Sequence, residues 1–403
     1  MPAKRIGSGV APSHTIDGLL CRRSPHLVSY WRGTDFVVEN YATTVRARAL
    51  PITSDILAFF DDWRRVDALL ALRPSDTHDA LRSLIAQLLE HSLLQRSDQE
   101  LPERERAMAL WEKWNPAAGF FHVATKDVNF VDMNTQVRNL RERTRAHPMP
   151  DPVKRYSGAR QVPLPSSSLE SEFPHALLTR RTWRRFSRKP VDLSSFGTLM
   201  GLTAGIQKWA HAEGEGRIAL KTSPSGGARH AIELYTLALS VKSLPRGLYH
   251  YAADAHALEL IDANVSGRLV GRYLPNQPWY KPAAALVFFA PVFSRELWRY
   301  KYARAYRAVL IEAGHLCQTF CLTATWLGLA PFCTMALADS LIEQDIGLDG
   351  ITESVLYVAG VGTRPTEAEA APPETKTGRP SMLKRQEVRR FPGRIVGNGR
   401  SRR

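Results

Sequence analysis

Residues 179–186 of the chain read TRRTWRRF, and residues 221–228 read KTSPSGGA. In the first stretch Thr182 stands between Arg180 and Arg184. A hydroxyl flanked by guanidinium groups suits a phosphate, because arginine forms forked, charge-assisted hydrogen bonds. In the second stretch a Pro-Ser-Gly-Gly turn lets the backbone approach a flat ring, since glycine has no Cβ to hold the ring away. The two stretches therefore predict the two halves of a pocket for a ring compound that carries a phosphate.

Further motifs follow these two stretches along the chain. The run 231–235 is strand-like, and the run from Pro282 to Phe293 predicts one buried strand. Between them, residues 247–251 read GLYHY and residues 256–260 read HALEL. The remaining motifs, in chain order, are KYARAYR at 301–307, EAGHLCQ at 312–318, LGLA at 327–330, GLDG at 347–350 and VAGVG at 358–362. Each motif alone is a weak signal, but the whole set in this order along the chain is a strong one.

The set resembles the motifs of the nitroreductase superfamily of flavoproteins, and most closely its SagB-type branch of peptide-maturation dehydrogenases, over about residues 175–365. The resemblance implies an α+β sandwich over residues 169–370, in which helices wrap a mostly antiparallel sheet that binds FMN. It also implies a homodimer, because proteins of this fold build each flavin site from both subunits.

The resemblance also implies which residues bind FMN. The arginine-rich stretch matches the phosphate positions, the glycine turn matches the loop at the edge of the flavin ring, and the backbone of 334–336 faces that ring. The expected FMN-binding residues are Arg180, Thr182, Arg184, Pro224, Ser225, Gly226, Gly227, Thr334, Met335, Ala336 and Arg364. Met335 is larger than the small residue expected there, Lys221 replaces a usual arginine, and a surface role for Arg364 stays open.

Lys301 and Tyr302 are the predicted catalytic residues, because a matching Lys-Tyr pair marks the azoline-oxidising members of the family. Oxidation of an azoline needs a base that removes the proton from the α-carbon, and the protein must supply that base. Tyr302 can serve because a neighbouring ammonium favours its phenolate, and Lys301 can serve if burial favours its neutral amine. Consecutive helical residues diverge, so both reach one substrate only where the segment is irregular. An ordinary amphipathic helix stays open as the alternative.

Histidine and cysteine residues predict no metal site. His315 is expected to be a packed, hydrogen-bonded histidine of the core. Cys317 and Cys321, one helical turn apart, are expected to be small buried apolar residues. With Cys21 and Cys333 they show neither the spacing of a metal site nor a disulfide framework.

The charge of the chain is concentrated at its end. Of a formal net charge of +15, residues 374–403 contribute +8, with ten basic and two acidic side chains. Residues 371–403 are therefore predicted to form a disordered basic tail, with a docking arm for an acidic partner as the alternative. No secretory signal and no apolar run of roughly 18–20 residues is visible, which predicts a cytoplasmic protein without a membrane partner.

The N-terminal part, residues 1–140, contains three helical candidates at Ile56–Phe60, Val66–Leu70 and Leu81–Leu94. Three short helices followed by a hairpin predict a winged-helix-like domain. Such a domain can hold a leader peptide or bind DNA, but Arg82 is almost the only basic residue of the third helix, which disfavours nucleic acid as a partner. A linker rich in proline, serine and arginine is predicted at 141–168.

Together these features predict an FMN-dependent dehydrogenase that oxidises azolines to azoles in a modified precursor peptide, with a cyclodehydratase as a further expected partner. Two alternatives stay open. The first is an NAD(P)H-dependent nitroreductase or quinone reductase, since this superfamily needs no dinucleotide fingerprint. The second is a nucleic-acid-binding winged-helix protein that keeps a degenerate flavin domain.

Overall fold

The computed structural model describes residues 4–5, 16–146, 171–213 and 216–366. The N-terminal elements are β1 Lys4–Arg5, β2 Leu20–Arg23, β3 Leu27–Arg32, β4 Asp35–Asn40, β5 Val45–Ala49, α1 Ile52–Phe59, β6 Arg64–Arg65, α2 Val66–Leu70, α3 His78–Glu90, β7 Leu94–Arg96, α4 Glu103–Met108, α5 Ala117–Ala124 and α6 Met133–Ala146. The C-terminal elements are α7 Glu172–Thr179, α8 Leu193–Ala204, β8 Lys208–Ala212, β9 Gly216–Leu220, β10 Ile232–Ala238, β11 Gly247–Ala252, β12 Ala257–Asp262, α9 Arg268–Tyr273, β13 Ala285–Pro291, α10 Phe293–Arg299, α11 Ala305–Trp326, β14 Leu329–Thr334, α12 Asp339–Ile346 and β15 Tyr357–Thr363.

A six-stranded sheet forms the centre of the C-terminal part, in the order β12-β11-β10-β13-β15-β14. Every neighbouring pair is antiparallel. All seven residues of β13 are buried, because the strand is covered on both faces, which explains its unbroken apolar sequence. The predicted antiparallel sheet is confirmed.

Alternate residues of β13 point to opposite faces, and each face has its own core. Val287 and Phe289 pack in the core that contains Phe196 of α8 and Phe320 of α11. Phe288 packs in a second core with Tyr273 of α9 and side chains of α12. Helices therefore lie on both faces of the sheet, as the sandwich prediction requires.

Residues 16–94 of the N-terminal part pack around a core of their own. The three predicted helices are present as α1, α2 and α3, and β2 lies between β6 and β7 in a three-stranded sheet. The strand after α3, β7, pairs with β2 from the beginning of this region, and α4 follows it. The hairpin predicted after the third helix is therefore wrong within the described residues, because the partner strand precedes the helices in the sequence.

Residues 103–124, in contrast, pack on the C-terminal part. Trp111 is fully buried, and its ring lies 4.6 Å from that of Phe293, measured between centroids. Its indole nitrogen donates to the carbonyl of Ile351 at 2.9 Å. His122 of α5 lies 2.9 Å from the hydroxyl of Tyr306, measured from its Nδ1. These contacts join the two parts of the chain into a common core.

Some predictions fall outside the described residues. The basic tail, residues 371–403, lies wholly outside them, and so does most of the linker, whose first residues 141–146 complete α6. The domain boundaries accordingly stay predictions. No helix in the described ranges has the length and apolar character that crossing a membrane requires.

Candidate functional site

The glycine turn at residues 224–227 lies between β9 and β10 and is anchored to the central helix α11. The Ser225 hydroxyl donates to Oε2 of Glu312 at 2.6 Å and accepts the backbone N–H of His230 at 2.8 Å. Ser223 and Thr319 share a second hydroxyl contact of 2.7 Å between the same segments. The predicted turn is therefore held by side chains, which leaves the backbone N–H groups of its glycines available to a ligand.

Both glycines of the turn are closely approached by side chains of α10 and of the residue that follows it. Gly227 has φ +56°, and a Cβ there would lie 2.7 Å from Cδ of Arg299 and 2.8 Å from the hydroxyl of Tyr300. A Cβ on Gly226 would lie 2.8 Å from Oε1 of Glu296. Such distances are shorter than van der Waals contact, so a side chain at either glycine would require these neighbouring side chains or the turn to move.

Glu296 of α10 is an acidic residue at this turn that the sequence motifs did not reveal. It is 1% exposed, and neither carboxyl oxygen has a hydrogen-bond partner in the described residues. Burial, followed by the nearby charge of Glu312, raises the pKa of Glu296 to about 7. A buried carboxyl without a partner that titrates near neutral pH can gain or lose a proton beneath the turn.

Glu296→Gln is expected to stabilise the protein in alkaline but not in acidic solution. The folded pKa of about 7 exceeds the ordinary value of 4.5, so the folded chain binds more protons between these pH values, and wild-type stability falls as pH rises through them. The substituted amide has no charge to bury, so the gain at about pH 8 is at most about 3 kcal/mol and vanishes below pH 4.5. Urea unfolding of both proteins at about pH 8 and below pH 4.5 measures this gain in the free energy of unfolding. Glu90→Gln, at an exposed position, is the control. An equal effect of Glu296→Gln on stability at both pH values would contradict the raised pKa of Glu296.

The arginine-rich stretch follows α7 without regular secondary structure. The backbone N–H of Trp183 donates to the carbonyl of Pro331 in β14 at 3.0 Å, which places the stretch beside the sheet edge. Within the described residues the side chains of Arg180, Thr182 and Arg184 make no hydrogen bond or ion pair. Donors without an internal acceptor fit the predicted binding of a phosphate.

This stretch and the glycine turn lie on opposite faces of α11 within one chain. The turn contacts Glu312 and Thr319, whereas the charge of Arg180 acts on the thiols of Cys321 and Cys333. Cys321 follows Glu312 by nine residues, or about two and a half helical turns, and therefore points in the opposite direction. The structure does not bring the two predicted halves of the pocket together in a single chain.

The other predicted cofactor residues make internal contacts. The Thr334 hydroxyl donates to Gln277, and Gln277 donates to the carbonyl of Ala336, while Met335 is 72% exposed beyond β14. Arg364 donates from Nε to the carbonyl of Leu329 and from Nη2 to that of Thr325. Arg364 thus binds one carbonyl near the end of α11 and one at the start of β14, and its proposed contact with a phosphate stays a prediction.

The predicted catalytic pair lies in the short connection between α10 and α11. Lys301 and Tyr302 precede α11, which begins at Ala305, so they belong to no helix and the amphipathic-helix alternative is wrong. Both side chains are exposed, Tyr302 to 53%. Tyr300 lies beside Gly227, and its ring is 5.9 Å from that of Tyr302 between centroids. The irregular segment that the prediction requires is therefore present, next to the turn.

Trp114 from the N-terminal part contributes to the position of this segment. Its indole N–H donates to the carbonyl of Tyr300 at 3.0 Å, one residue before Lys301. Trp114 is fully buried and Tyr300 is half-buried, so the contact lies at the edge of the core. No local sequence pattern links the two residues, because 186 positions separate them.

The prediction of a buried core position for His315 is wrong. His315 is exposed on α11, and its Nδ1 lies 3.3 Å from the carbonyl oxygen of Pro224. Because α11 carries apolar residues on several sides, its sequence does not show that position 315 faces the glycine turn. His315 therefore contacts the candidate site.

A cavity of about 520 Å³ adjoins the turn at residues 228–230. Charged side chains of both signs line it, including Lys221, Glu233, His250 and Arg295. The hydrogen bonds that the His250 ring donates to the carboxylates of Glu233 and Glu259 raise the pKa of His250 to about 8, in spite of its partial burial. The space is large enough for part of a ligand and is polar enough to hold a charged one.

Comparison with known proteins finds one family model and several relatives that this chain resembles. Residues 177–363 match the model of the Nitroreductase family. Trifolitoxin-processing protein TfxB of Rhizobium leguminosarum bv. trifolii is 32% identical over 141 residues, 34% of this chain but only 38% of TfxB, so the chain covers well under half of that relative. Trifolitoxin operon protein TfxC of the same organism is 24% identical over 341 residues, which are 82% of this chain and 92% of TfxC.

Solved structures show a weaker likeness. One chain of the E. coli microcin synthetase McbBCD complex with truncated pro-MccB17 bound is 21% identical, with a TM-score of 0.44 over 67% of this chain and 100% of that chain. A putative nitroreductase from Anabaena variabilis is 23% identical, with a TM-score of 0.41 over 48% of this chain and 38% of that chain.

Proposed function

Because residues 177–363 of this chain match the model of the Nitroreductase family, we propose that the chain is an FMN-dependent dehydrogenase that oxidises azoline rings to azoles in a modified peptide. The observation that carries the proposal is the exposed Lys301–Tyr302 segment beside a glycine turn that the Ser225 side chain anchors to α11. The similarity to a trifolitoxin-processing protein supports a peptide as the substrate.

The donors and the turn fit FMN. Arg180, Thr182 and Arg184 would hold the phosphate with donors that have no acceptor among the described residues, and the backbone of residues 224–227 would contact the flavin ring. When bound, FMN supplies a hydride acceptor. The backbone at 334–336 and Arg364 complete the proposed set.

A homodimer would explain why the two proposed halves of the pocket lie on opposite faces of α11. In one chain the helix separates Arg180 from Ser225. If the arginine-rich stretch of one subunit meets the glycine turn of its partner, both halves contribute to one site, and twofold symmetry creates two such sites. Each chain would then be inactive alone.

The residues of this chain would handle the proton of the reaction. The Tyr302 phenolate, favoured by the Lys301 ammonium, would remove the proton from the α-carbon of the azoline. Because the pair lies outside a helix, the two side chains are not forced apart by helical geometry. Trp114 would keep the segment in place through its bond to the Tyr300 carbonyl.

The N-terminal part would bind the leader region of the precursor peptide or a cyclodehydratase partner. The similarity to TfxC extends over 341 residues, longer than the family match, so it includes much of this part. Its three helices and three-stranded sheet resemble a winged helix in which β2 supplies the third strand. Residues 103–124 would link such binding to the Lys301–Tyr302 segment.

The test begins with the absorption spectrum of the purified full chain and the mass of any compound released on denaturation. We expect a double-peaked yellow spectrum, released FMN, and loss of two hydrogen atoms from a peptide that contains a thiazoline. A protein that stays colourless with added FMN would overturn the cofactor. Rapid bleaching by NADPH without peptide oxidation would overturn the dehydrogenase in favour of a reductase.

A further inference from the structure

Three cysteine side chains meet between α11 and β14, away from the glycine turn. Cys317 and Cys321 lie one helical turn apart on α11, and Cys333 lies near the end of β14. Their three sulfur atoms all lie within 4.8 Å of one another. Cys317 and Cys321 are buried, and Cys333 is half-buried. The cluster therefore has one side that is accessible from outside the core.

The surroundings of the cluster are suited to negatively charged sulfur. The Tyr357 hydroxyl of the neighbouring strand β15 donates to Sγ of Cys333 at 3.2 Å. The positive charge of Arg180 acts on Cys321 and Cys333. A hydrogen-bond donor and a guanidinium stabilise thiolates, whereas three thiols used only as small apolar residues would need neither.

We propose that Cys317, Cys321 and Cys333 form a binding site for a thiophilic divalent metal ion, with Zn²⁺ as the natural occupant. Thiolate sulfur is the preferred ligand of Zn²⁺, at a metal–sulfur distance of about 2.3 Å. Tetrahedral ligands at that distance lie about 3.8 Å apart, so small side-chain rotations would complete the site. Water or the Tyr357 hydroxyl would occupy the fourth position.

The charges and protons of this site balance. Binding of Zn²⁺ forms three metal–sulfur bonds and releases three thiol protons to solvent. The resulting centre carries one net negative charge, and the neighbouring guanidinium of Arg180 offsets it. No electron is transferred, so the site needs no oxidant or reductant.

A metal ion here would join the central helix to the edge of the sheet. Its ligands come from α11 and β14, and a metal bridge between two elements stabilises the folded state. It would also hold the position of Arg180, on the opposite face of α11 from the glycine turn. The site would thus be structural, and it does not depend on the proposed dehydrogenase activity.

The experiment is a Cd²⁺ titration of the reduced, metal-free full chain, followed through the ultraviolet charge-transfer band of cadmium thiolates. We expect the band to saturate at one equivalent per chain, and Zn²⁺ to suppress it and raise the melting temperature. Cys333→Ser should weaken Cd²⁺ binding at least about tenfold. Cys21→Ala, which removes a buried thiol of the N-terminal core, should leave binding unchanged.

Two results would overturn the proposal. One is the absence of a saturable band in the folded wild-type chain, a measurement that requires no variant. The other is a disulfide between Cys333 and either helical cysteine in the protein as isolated, shown by the mass of non-reduced peptides. Cys317→Ser offers a second variant, and circular dichroism of each variant separates loss of binding from loss of fold.

Discussion

Replacing Tyr302 with Phe is expected to lower the rate of azole formation at least about a hundredfold while FMN stays bound. The change removes the hydroxyl that would take the α-carbon proton, and general bases typically contribute factors of about 10² to 10⁴. The side chain is 53% exposed and outside both helices, so its loss should not disturb the core. Mass spectrometry of the peptide measures the rate, and flavin absorbance measures cofactor content.

Lys301→Ala tests the other member of the pair, with the same expected loss of turnover and retention of FMN. Tyr249→Phe is the matched control for Tyr302→Phe, because the Tyr249 hydroxyl donates to the carbonyl of Pro245 and not to the site. Full activity in both Lys301→Ala and Tyr302→Phe would remove the pair from the mechanism. Loss of FMN together with activity would instead assign them to cofactor binding.

Gly227→Ala is expected to weaken FMN binding at least about tenfold, which corresponds to about 1.4 kcal/mol. The new Cβ would lie 2.7 to 2.8 Å from Arg299 and Tyr300, and the left-handed backbone at φ +56° is itself unfavourable for alanine by about 1–2 kcal/mol. Because the backbone strain acts on the turn itself, we expect the turn to shift and its backbone to lose its contact with the flavin ring. Titration of the FMN-free protein with FMN measures the dissociation constant.

Gly267→Ala provides the control for this change. A Cβ on Gly267 would have no neighbouring heavy atom within 4 Å, and the φ angle of Gly267 is not positive. Its substitution should leave FMN binding unaltered. Equal FMN affinity for Gly227→Ala and the wild type would show that the turn does not contact the cofactor.

Local sequence patterns predicted those strands and helices in which apolar residues recur at regular spacing or in an unbroken run. The apolar run from Pro282 to Phe293 predicted the buried strand β13, and the helical candidate Leu81–Leu94 predicted α3. The order of motifs indicated the family. The sequence shows these features because each depends on residues that are neighbours in the chain. Apolar residues recur every two positions on the buried side of a strand and every 3.6 positions on the buried side of a helix.

The partners of individual side chains were decided by the tertiary structure. Glu296 lies beneath the turn, and Trp114 binds the Tyr300 carbonyl, because α10 and the N-terminal helices pack there. Cys333 meets Cys317 and Cys321 only where β14 crosses the central helix. Contacts between residues far apart in the chain leave no period in the sequence, so only the folded chain shows which groups meet, and on which face of α11 each half of the site lies.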